Sequence, residues 1–574
     1  MLGKKPMSHA RSAFVITLLV SGVLSACANG QERLAPESIS VEPTYNAPLD
    51  QLAAPDGPPV NPHLSPSSWP TSHRNSAKQA STSIPGPVGD LDVQVRYFEQ
   101  DIGRNVGASP FMVLSGKAYA SAPGAVTLWG ATLTDVYKYV IDGERFEYVD
   151  HIRTSLLPLQ MSWNMFTLAE GDRVIAPMPR GMRTSDARKL GCRGNHPAIA
   201  AFKDGDDPAS PIICDKIFEY TPERLQSACG FSEPVPYSVG NLTAVLYNGD
   251  IATVIAHDRM KQPRPAQIGR VPSGQAVGRD SYLAIISNDL SRIKACSLIG
   301  ETSITNQFSV ERTSDTLNTM YLATGRSLVA MQYDTVTNAL TRRASIDIPL
   351  RERTGTTPTL LGFSGDDQFV FLIDARCAVA NIFTGEIECS KTRTGASRLI
   401  AVRRDFDEDA VVYHDLPEFI DTVENSPAAY GNSIVITNYS GYHPDGSKDG
   451  EPDFAKGVVK VSWDPVAQRF QTDWANPEVQ ISGIPTISAG SNMMYSSGAE
   501  PDGYTYFYGL RLNDDESGKG GEVLLRERVA ISTPSRRGAN DQVFDQGNGT
   551  LILDDGSAVF PGGPSLVRIK TDGD

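Results

Sequence analysis

Oxygen-bearing side chains alternate along one short stretch of the chain, DGSKDGEPD, which begins at residue 445. Asp445, Ser447 and Asp449 supply oxygen atoms at every second position, and the glycine that follows allows a sharp bend. Asp453 offers a fourth oxygen ligand. Because calcium takes several oxygen ligands from flexible loops of this kind, the stretch is a candidate calcium site. We favour the alternative, an acidic loop that is simply solvated.

This spacing resembles the first half of an EF-hand-like calcium loop. The resemblance ends at Lys456, which stands where such a loop carries its bidentate glutamate. Calcium is the one cofactor that the sequence suggests. The chain has no Gly-x-Ser-x-Gly elbow, no His-Glu-x-x-His, no phosphate-binding loop and no dinucleotide fingerprint, so no residue is assigned a catalytic role.

Two of the seven cysteines, Cys377 and Cys389, flank a Thr-Gly turn signal within a run of apolar residues. Gly385 can adopt the positive φ that hairpin loops of three to five residues often need. With a loop from Asn381 to Gly385, the two cysteines face each other across the hairpin. With a loop one residue shorter, they point to opposite faces. We predict a Cys377–Cys389 disulfide, with two buried thiols as the alternative.

The N-terminus has the features of a secretory signal. Positive charges precede an apolar run, 13–26, that ends in small residues and is shorter than the roughly 20 residues needed to span a bilayer. The sequence Leu-Ser-Ala-Cys at its end resembles the lipobox of bacterial lipoproteins. That resemblance implies removal of residues 1–26, lipidation of Cys27 and, because Ala28 rather than Asp follows, attachment to the outer membrane. An ordinary cleaved signal is the alternative.

An exported chain meets oxidising conditions, so its remaining cysteines are expected to pair. Once Cys27 and the hairpin pair are set aside, four cysteines remain and allow three pairings, among which the sequence does not choose: Cys192, Cys214, Cys229 and Cys296. No two cysteines lie two to four residues apart, as zinc sites usually require.

The stretch that follows the signal, 27–88, is poor in large apolar residues and rich in Pro, Ser and Ala. Such a composition buries too little surface to offset the entropy of ordering, so it predicts a disordered tether. Its end, SWPTSHRNSAKQAS (68–81), is a partial exception. It resembles the opening segment of pyrroloquinoline-quinone-like propellers, in which a Trp-Pro pair and a short polar stretch lead into the first blade.

From residue 89 onward, short runs of β-branched and aromatic residues alternate with Gly, Asp and Asn. A turn that begins with Asp or Asn recurs 45 to 50 residues apart within two groups: Asp289, Asp334 and Asn381, and Asp464 and Asp514. This period fits four-stranded β-propeller blades of roughly 40–50 residues. The turn resembles the one between the outer strands of a blade in quinoprotein-like and WD-type propellers.

We therefore predict an all-β fold: a single β-propeller of seven or eight four-stranded blades over residues 89–574, with the Cys377–Cys389 hairpin inside one blade. An insertion near 178–236 carries three cysteines and a short helix at TPERLQSACG. SLVRIK (565–570) is expected to be the strand that closes the ring. A pair of β-sandwiches is the alternative fold.

The net charge of −15 argues against a nucleic-acid partner and leaves attachment to the membrane to the lipid. We favour a lipid-anchored binding or assembly scaffold with an envelope protein as its partner, as in lipoproteins of the outer-membrane assembly machinery. One alternative is a calcium-dependent hydrolase or lactonase of the gluconolactonase-like type. Another is a quinone-dependent dehydrogenase, although the chain has no adjacent cysteines and only five Trp. The fold alone would decide none of these.

Overall fold

A computed structural model describes most of the chain from residue 57 onward. The residues described are 44–45, 57–97, 112–119, 121–131, 135–153, 167–171, 173–178, 190–230, 237–258, 279–300, 307–324, 327–348, 356–381, 386–389, 396–407, 409–423, 425–439, 442–443, 453–454, 456–481, 483–500, 502, 504–531, 549–562 and 565–573.

Eight sheets form the blades of a β-propeller, which confirms the predicted fold class and the upper predicted number of blades. Each blade has four strands, and two of the sheets gain a fifth, short strand from the N-terminal part of the chain. Three strands precede the first blade: β1 (Thr44–Tyr45), β2 (Ser81–Thr82) and β3 (Leu91–Tyr97). Blade 1 has β4 (Met112–Tyr119), β5 (Ala122–Ala131), β6 (Asp135–Asp142) and β7 (Arg145–Arg153). Blade 2 has β8 (Thr167–Ala169), β9 (Arg173–Met178), β10 (Ala198–Lys203) and β11 (Ile213–Glu219). Blade 3 has β12 (Tyr237–Val245), β13 (Ile251–Asp258), β14 (Arg279–Ile286) and β15 (Ile293–Gly300).

The remaining blades follow the same antiparallel order. Blade 4 has β16 (Ser309–Arg312), β17 (Leu317–Ala323), β18 (Ser327–Asp334) and β19 (Leu340–Asp347). Blade 5 has β20 (Thr359–Leu361), β21 (Phe369–Asp374), β24 (Arg398–Arg403) and β25 (Val411–Asp415), and β22 (Cys377–Asn381) and β23 (Glu386–Cys389) lie between its second and third strands. Blade 6 has β26 (Ala428–Tyr430), β27 (Ser433–Thr437), β30 (Val458–Asp464) and β31 (Arg469–Asn476), interrupted by β28 (Tyr442–His443) and β29 (Asp453–Phe454). Blade 7 has β32 (Thr486–Ser488), β33 (Met493–Ala499), β34 (Tyr504–Arg511) and β35 (Val523–Ile531). Blade 8 has β36 (Leu551–Ile552), β37 (Ala558–Gly562) and β38 (Ser565–Thr571).

Strands from the two ends of the chain complete blade 8 and close the ring. β3 pairs antiparallel with β38 over seven residues, from Leu91 opposite Thr571 to Tyr97 opposite Ser565. The predicted closing strand therefore has its partner near the start of the chain. The last blade also contacts the first, through β36 and β4. The blades therefore form a closed ring, which rules out the alternative of two sandwiches.

The first strand of each blade lies nearest the centre of the ring. Neighbouring blades touch through these inner strands, for example β4 with β8, β8 with β12, and β20 with β26. Outer strands are more exposed, as the alternating pattern of β19 shows. The core therefore lies between blades, where aromatic side chains stack: Phe507 lies 5.5 Å from both Tyr495 of its own blade and Phe560 of blade 8.

The recurring aspartates mark the turns between the third and fourth strands of a blade, as predicted for four of the five positions: Asp289, Asp334, Asp464 and Asp514. In two of these turns one carboxylate oxygen accepts two backbone N–H groups. Asp334 Oδ1 accepts from Val336 and Thr337 at 2.8 and 3.1 Å. Asp464 Oδ1 of blade 6 accepts from Val466 and Ala467 at 2.9 and 3.0 Å. The repeat thus reflects a local turn chemistry at the outer edge of blades 4 and 6.

Asn381 and the cysteine hairpin do not belong to a blade, which corrects our prediction. β22 and β23 join β28 and β29 in a separate four-stranded sheet, built from insertions into blades 5 and 6. Cys377 lies directly opposite Cys389, as predicted, but the predicted loop from Asn381 is wrong, because Asn381 pairs with Glu386 and a β-bulge between Val379 and Asn381 restores the register. Cys377 is disulfide-bonded. The side chain of Cys389 is outside the description, so the pairing of these two sulfurs stays a prediction.

The predicted helix is present as α1 (Pro222–Cys229), the one α-helix among the described residues. Thr221 caps its start by accepting from the Arg224 N–H, and Gly230 ends it with a φ of 70°. The predicted insertion around it is wrong, because residues 198–219 form the two outer strands of blade 2. The helix follows the last strand of blade 2 and Cys192 lies between its second and third strands, so the features taken for an insertion belong to connections within and after this blade.

The structure also selects one of the three cysteine pairings. Cys192 bonds to Cys214 within blade 2, and Cys229 at the end of α1 bonds to Cys296 in β15 of blade 3. The second bond ties the helix between two blades. Within the described part of the chain, no helix is long and apolar enough to cross a bilayer.

Candidate functional site

Residues 57–88, which we call the channel segment, run through the centre of the ring. Six inner strands, from blades on all sides, each donate one backbone N–H to a carbonyl oxygen of this segment. The pairs are Ser115 to Trp69 (3.1 Å), Leu168 to Pro70 (2.7 Å), Val310 to Ser76 (2.8 Å), Leu360 to Ala77 (3.0 Å), Ala429 to Gln79 (2.7 Å) and Ile487 to Ala80 (2.9 Å). A chain that bonds to the inner strands of blades 1, 2, 4, 5, 6 and 7 fills the channel that they enclose.

This placement corrects the predicted tether for its second half. Residues 27–88 were expected to be disordered, but 57–88 are ordered and mostly buried. The amino-acid composition did not predict this order, because the segment is held through hydrogen bonds of its backbone. The inner strands present N–H groups to the channel that need acceptors once water is removed, and the segment's carbonyls supply them. It then leads into β3, the outer strand of blade 8, and not into the first blade.

Side chains add to this backbone grip. Trp69 is only 2% exposed and belongs to the same buried apolar cluster as Leu114 and Leu168 of blades 1 and 2. At the exit of the segment, a Cβ on Gly490 would lie 2.4 Å from the Ser83 carbonyl oxygen, so blade 7 admits no side chain there. Asn61 reaches blade 3, where its Nδ2 donates to the Val245 carbonyl at 2.9 Å.

Four residues of the segment hold a left-handed backbone conformation although none is glycine: His73, Arg74, Lys78 and Ala80, with φ between 49° and 71°. Each such residue costs on the order of 1 kcal/mol. The bends let the chain turn inside the channel, since the Ala80 N–H donates back to the His73 carbonyl at 2.9 Å. The surrounding hydrogen bonds offset the strain.

The centre of the segment is cationic. Lys78 is 1% exposed, and burial lowers its pKa to about 7. Burial, followed by the charge of Lys78, lowers the pKa of His73 to about 3, so His73 is neutral at any ordinary pH. Burial also lowers the pKa of Arg74, against the opposing effect of Asp554. One guanidinium nitrogen of Arg74 donates to the Ser81 carbonyl at 2.5 Å.

The arrangement limits what the channel can do chemically. A quinone stacked in the channel, or a substrate above a channel calcium, would compete for space with the channel segment. One N–H of each of six inner strands is already bound to the segment, so these six groups cannot orient a ligand at that level.

The candidate calcium ligands are not tested by the described part of the structure. Asp445, Ser447 and Asp449 lie outside the described residues, and Asp453 is placed only by its backbone, in β29. Cys27 also lies outside the description. Across the residues that are described, no group of three or more His, Cys, Asp and Glu side chains is positioned to hold a metal ion.

Buried ion pairs between blades were missed in the sequence. Lys138 of blade 1 lies 3.8 Å from Asp204 of blade 2, and both side chains are buried. Arg404 of blade 5 lies 2.5 Å from Glu311 of blade 4. Removing one partner of such a pair leaves an uncompensated buried charge. No sequence signal joins partners this far apart along the chain, so only the ring geometry reveals them.

A recess of 260 Å³ at the rim of blades 1 and 2 is less informative. It is lined by residues that include Asp142, Arg145, Glu147 and Asp207. Arg145 lies 2.7 Å from Glu147 and 3.7 Å from Asp142, so its charge is already balanced by its neighbours. The channel segment is the more distinctive feature of the molecule.

Comparison with known proteins supports the fold and does not identify a family or a function. No family model and no curated protein matches the chain. Among solved structures, a europium-containing methanol dehydrogenase aligns with a TM-score of 0.50 at 8% identity, covering 88% of this chain and 98% of that one. Sqt1 of Saccharomyces cerevisiae aligns with a TM-score of 0.41 at 8% sequence identity, covering 86% of this chain and 100% of that one. A candidate 6-phosphogluconolactonase from Bacteroides fragilis aligns with a TM-score of 0.36 at 12% sequence identity, covering 74% of this chain and 96% of that one. The likeness to the methanol dehydrogenase structure agrees with the β-propeller fold described above.

Proposed function

We propose that this protein is a lipid-anchored scaffold of the bacterial envelope, attached to the outer membrane through Cys27, whose propeller binds an envelope protein with its outer surface. The observation that carries the proposal is the filled channel. Ligand sites in the hydrolase and dehydrogenase alternatives would lie in the channel, and here residues 69–80 fill it with their own backbone. Outer surfaces are left to carry recognition.

The route of the chain supports the same proposal. The expected anchor precedes the first strand that is paired with the ring, β1, which lies against β31 of blade 6, and 17 residues separate Cys27 from Thr44. At up to about 3.5 Å per residue, these can reach roughly 60 Å at most. An anchored chain of this length would let the ring meet a partner well away from the bilayer. The net charge of −15 favours a protein partner over nucleic acid or anionic lipid.

The anchor and the partner can be tested together. We expect Cys27→Ala to move the protein from the membrane fraction to the soluble fraction, because acyl chains contribute about 0.8 kcal/mol for each buried methylene. In intact cells, chemical cross-linking of the wild type should trap a discrete adduct with one envelope protein, and Cys27→Ala should lose it. The measurements are fractionation and mass spectrometry of the adduct.

The matched control is Ala28→Ser, which keeps the cysteine and should behave as the wild type in both assays. Retention of Cys27→Ala in alkali-washed membranes would refute the anchor. Membrane attachment without any adduct would refute the scaffold and return the enzyme alternatives to consideration.

A further inference from the structure

Lys78 is surrounded by neutral oxygen atoms inside the channel. Its Nζ donates to Thr71 Oγ1 at 2.9 Å, to the Ser72 carbonyl at 3.3 Å and to Ser72 Oγ at 3.4 Å. In the part of the chain that the structure describes, no carboxylate pairs with it. A buried ammonium without a counter-charge is costly, because hydrogen bonds to neutral groups do not balance its charge.

The neighbouring groups also have more hydrogen-bond donors than acceptors. Since Ser72 Oγ accepts from Lys78, its own proton goes to Gln307 Oε1. That bond fixes the Gln307 amide, whose Nε2 is buried and has no acceptor among the described residues. Ser309 Oγ, two residues further along the inner strand of blade 4, is also buried and has no hydrogen-bond partner among the described residues. His73 Nδ1, which in the neutral ring donates or accepts according to the tautomer, also has no partner among the described residues.

A positive charge next to amide and hydroxyl donors is the composition of an anion site. We propose that the channel binds one small inorganic monovalent anion, of chloride size, between the Lys78 ammonium and the Gln307 Nε2 amide. The Ser309 hydroxyl is a third donor to it. Such an ion balances the charge and satisfies the donors at once, whereas a water molecule would satisfy only the donors. It locks the channel segment to blade 4.

The charged groups near Lys78 determine how the site depends on pH. His73 is neutral, and the charge of Arg74 is opposed by Asp554. Without an anion, the pKa of Lys78 is about 7 in the folded protein and 10.5 in the unfolded chain. The unfolded state then binds more protons between these values, so stability rises from pH 7 to about 10. A bound anion raises the pKa of Lys78 in the folded state and flattens that rise.

The test compares the melting temperature of the full-length protein in sodium chloride and in sodium gluconate at equal ionic strength, from pH 6 to 10. We expect chloride to raise the melting temperature by about 1–2 °C for each tenfold increase above its dissociation constant. Chloride should also flatten the rise above pH 7. Lys78→Met, which keeps the length of the side chain, should remove the response to chloride. Lys216→Met, at an exposed lysine, should keep it.

Equal melting temperatures of the wild type in both salts, with the same rise above pH 7, would overturn the proposal and show that Lys78 is a neutral amine. A response that persists in Lys78→Met would also overturn it. If that variant does not fold, crystals of the wild type soaked in sodium bromide decide the matter. An anomalous peak beside Lys78 Nζ supports the site, and its absence at full bromide exchange refutes it.

Discussion

Ending the chain after Gly563 is expected to yield insoluble or protease-sensitive protein. The deletion removes β38, which lies between β37 and β3 and links them in the sheet. Without it, β3 loses all seven of its paired residues and blade 8 is reduced to two short strands. Faces of blades 1 and 7 would then meet water on both sides of the gap.

The size of this effect follows from burial. Leu566, Val567 and Ile569 of β38 are fully buried. Each contributes roughly 1.5–3 kcal/mol when removed from water, so the strand accounts for a large part of a typical unfolding free energy of about 5–15 kcal/mol. Limited proteolysis and a melting curve provide the measurement.

A chain that ends after Asp572 is the matched control, because it keeps every residue of β38 and loses only the last two residues. It should melt as the wild type does. If the chain ending after Gly563 kept the wild-type melting temperature and protease resistance, the pairing of β3 with β38 would not be what holds the ring closed.

Trp69→Ala is expected to destabilise the protein by about 3–5 kcal/mol, the usual loss when a buried tryptophan leaves a cavity. The indole is 2% exposed between blades 1 and 2, and the Trp69 carbonyl accepts the Ser115 N–H. Removing the ring would therefore weaken the start of the channel segment. Chemical denaturation with a fluorescence or circular dichroism readout measures the change.

Val60→Ala is the control in the same segment, since Val60 is 88% exposed and should change stability by less than about 0.5 kcal/mol. The comparison separates two descriptions of this region. In a disordered tether, both substitutions would be neutral. In a filled channel, only the tryptophan matters. Equal and small effects at both positions would therefore contradict the structure.

The parts of the fold that depend on local sequence could be predicted. The turns at Asp334 and Asp464 follow from a carboxylate that binds backbone N–H groups two and three residues later. Helix α1 follows from its caps at Thr221 and Gly230. The hairpin itself follows from the Thr-Gly turn signal between Cys377 and Cys389, although its register also depends on a β-bulge between Val379 and Asn381. Each of these signals lies within a dozen residues.

The channel segment could not be predicted in the same way. Its partners are backbone groups on six blades, up to about 400 residues away, and backbone groups leave no trace in a side-chain pattern. Its bends use His73, Arg74 and Lys78 where glycine would be the expected residue. The Trp-Pro pair was the one signal, and it indicated a propeller start without showing where that start lies.

The sheet to which the cysteine hairpin belongs could not be predicted from the sequence either. β28 and β29 are two residues each and come from a different blade, so nothing near Cys377 indicates them. Likewise, Cys229 and Cys296 are 67 residues apart, and only the packing of α1 against blade 3 selects that pair. Long-range pairing is set by topology, which the repeat spacing describes only coarsely.

Hydrogen exchange at single-residue resolution tests the filled channel most directly. In β20, the Leu360 N–H points away from β21 and bonds to Ala77, whereas the N–H groups of Thr359 and Leu361 point towards β21 and serve as the internal reference. We predict that the inward N–H groups of Leu360, Ala429 and Ile487 exchange as slowly as their reference neighbours. Fast exchange at these inward positions, with the reference positions still protected, would show that water and not residues 69–80 fills the channel.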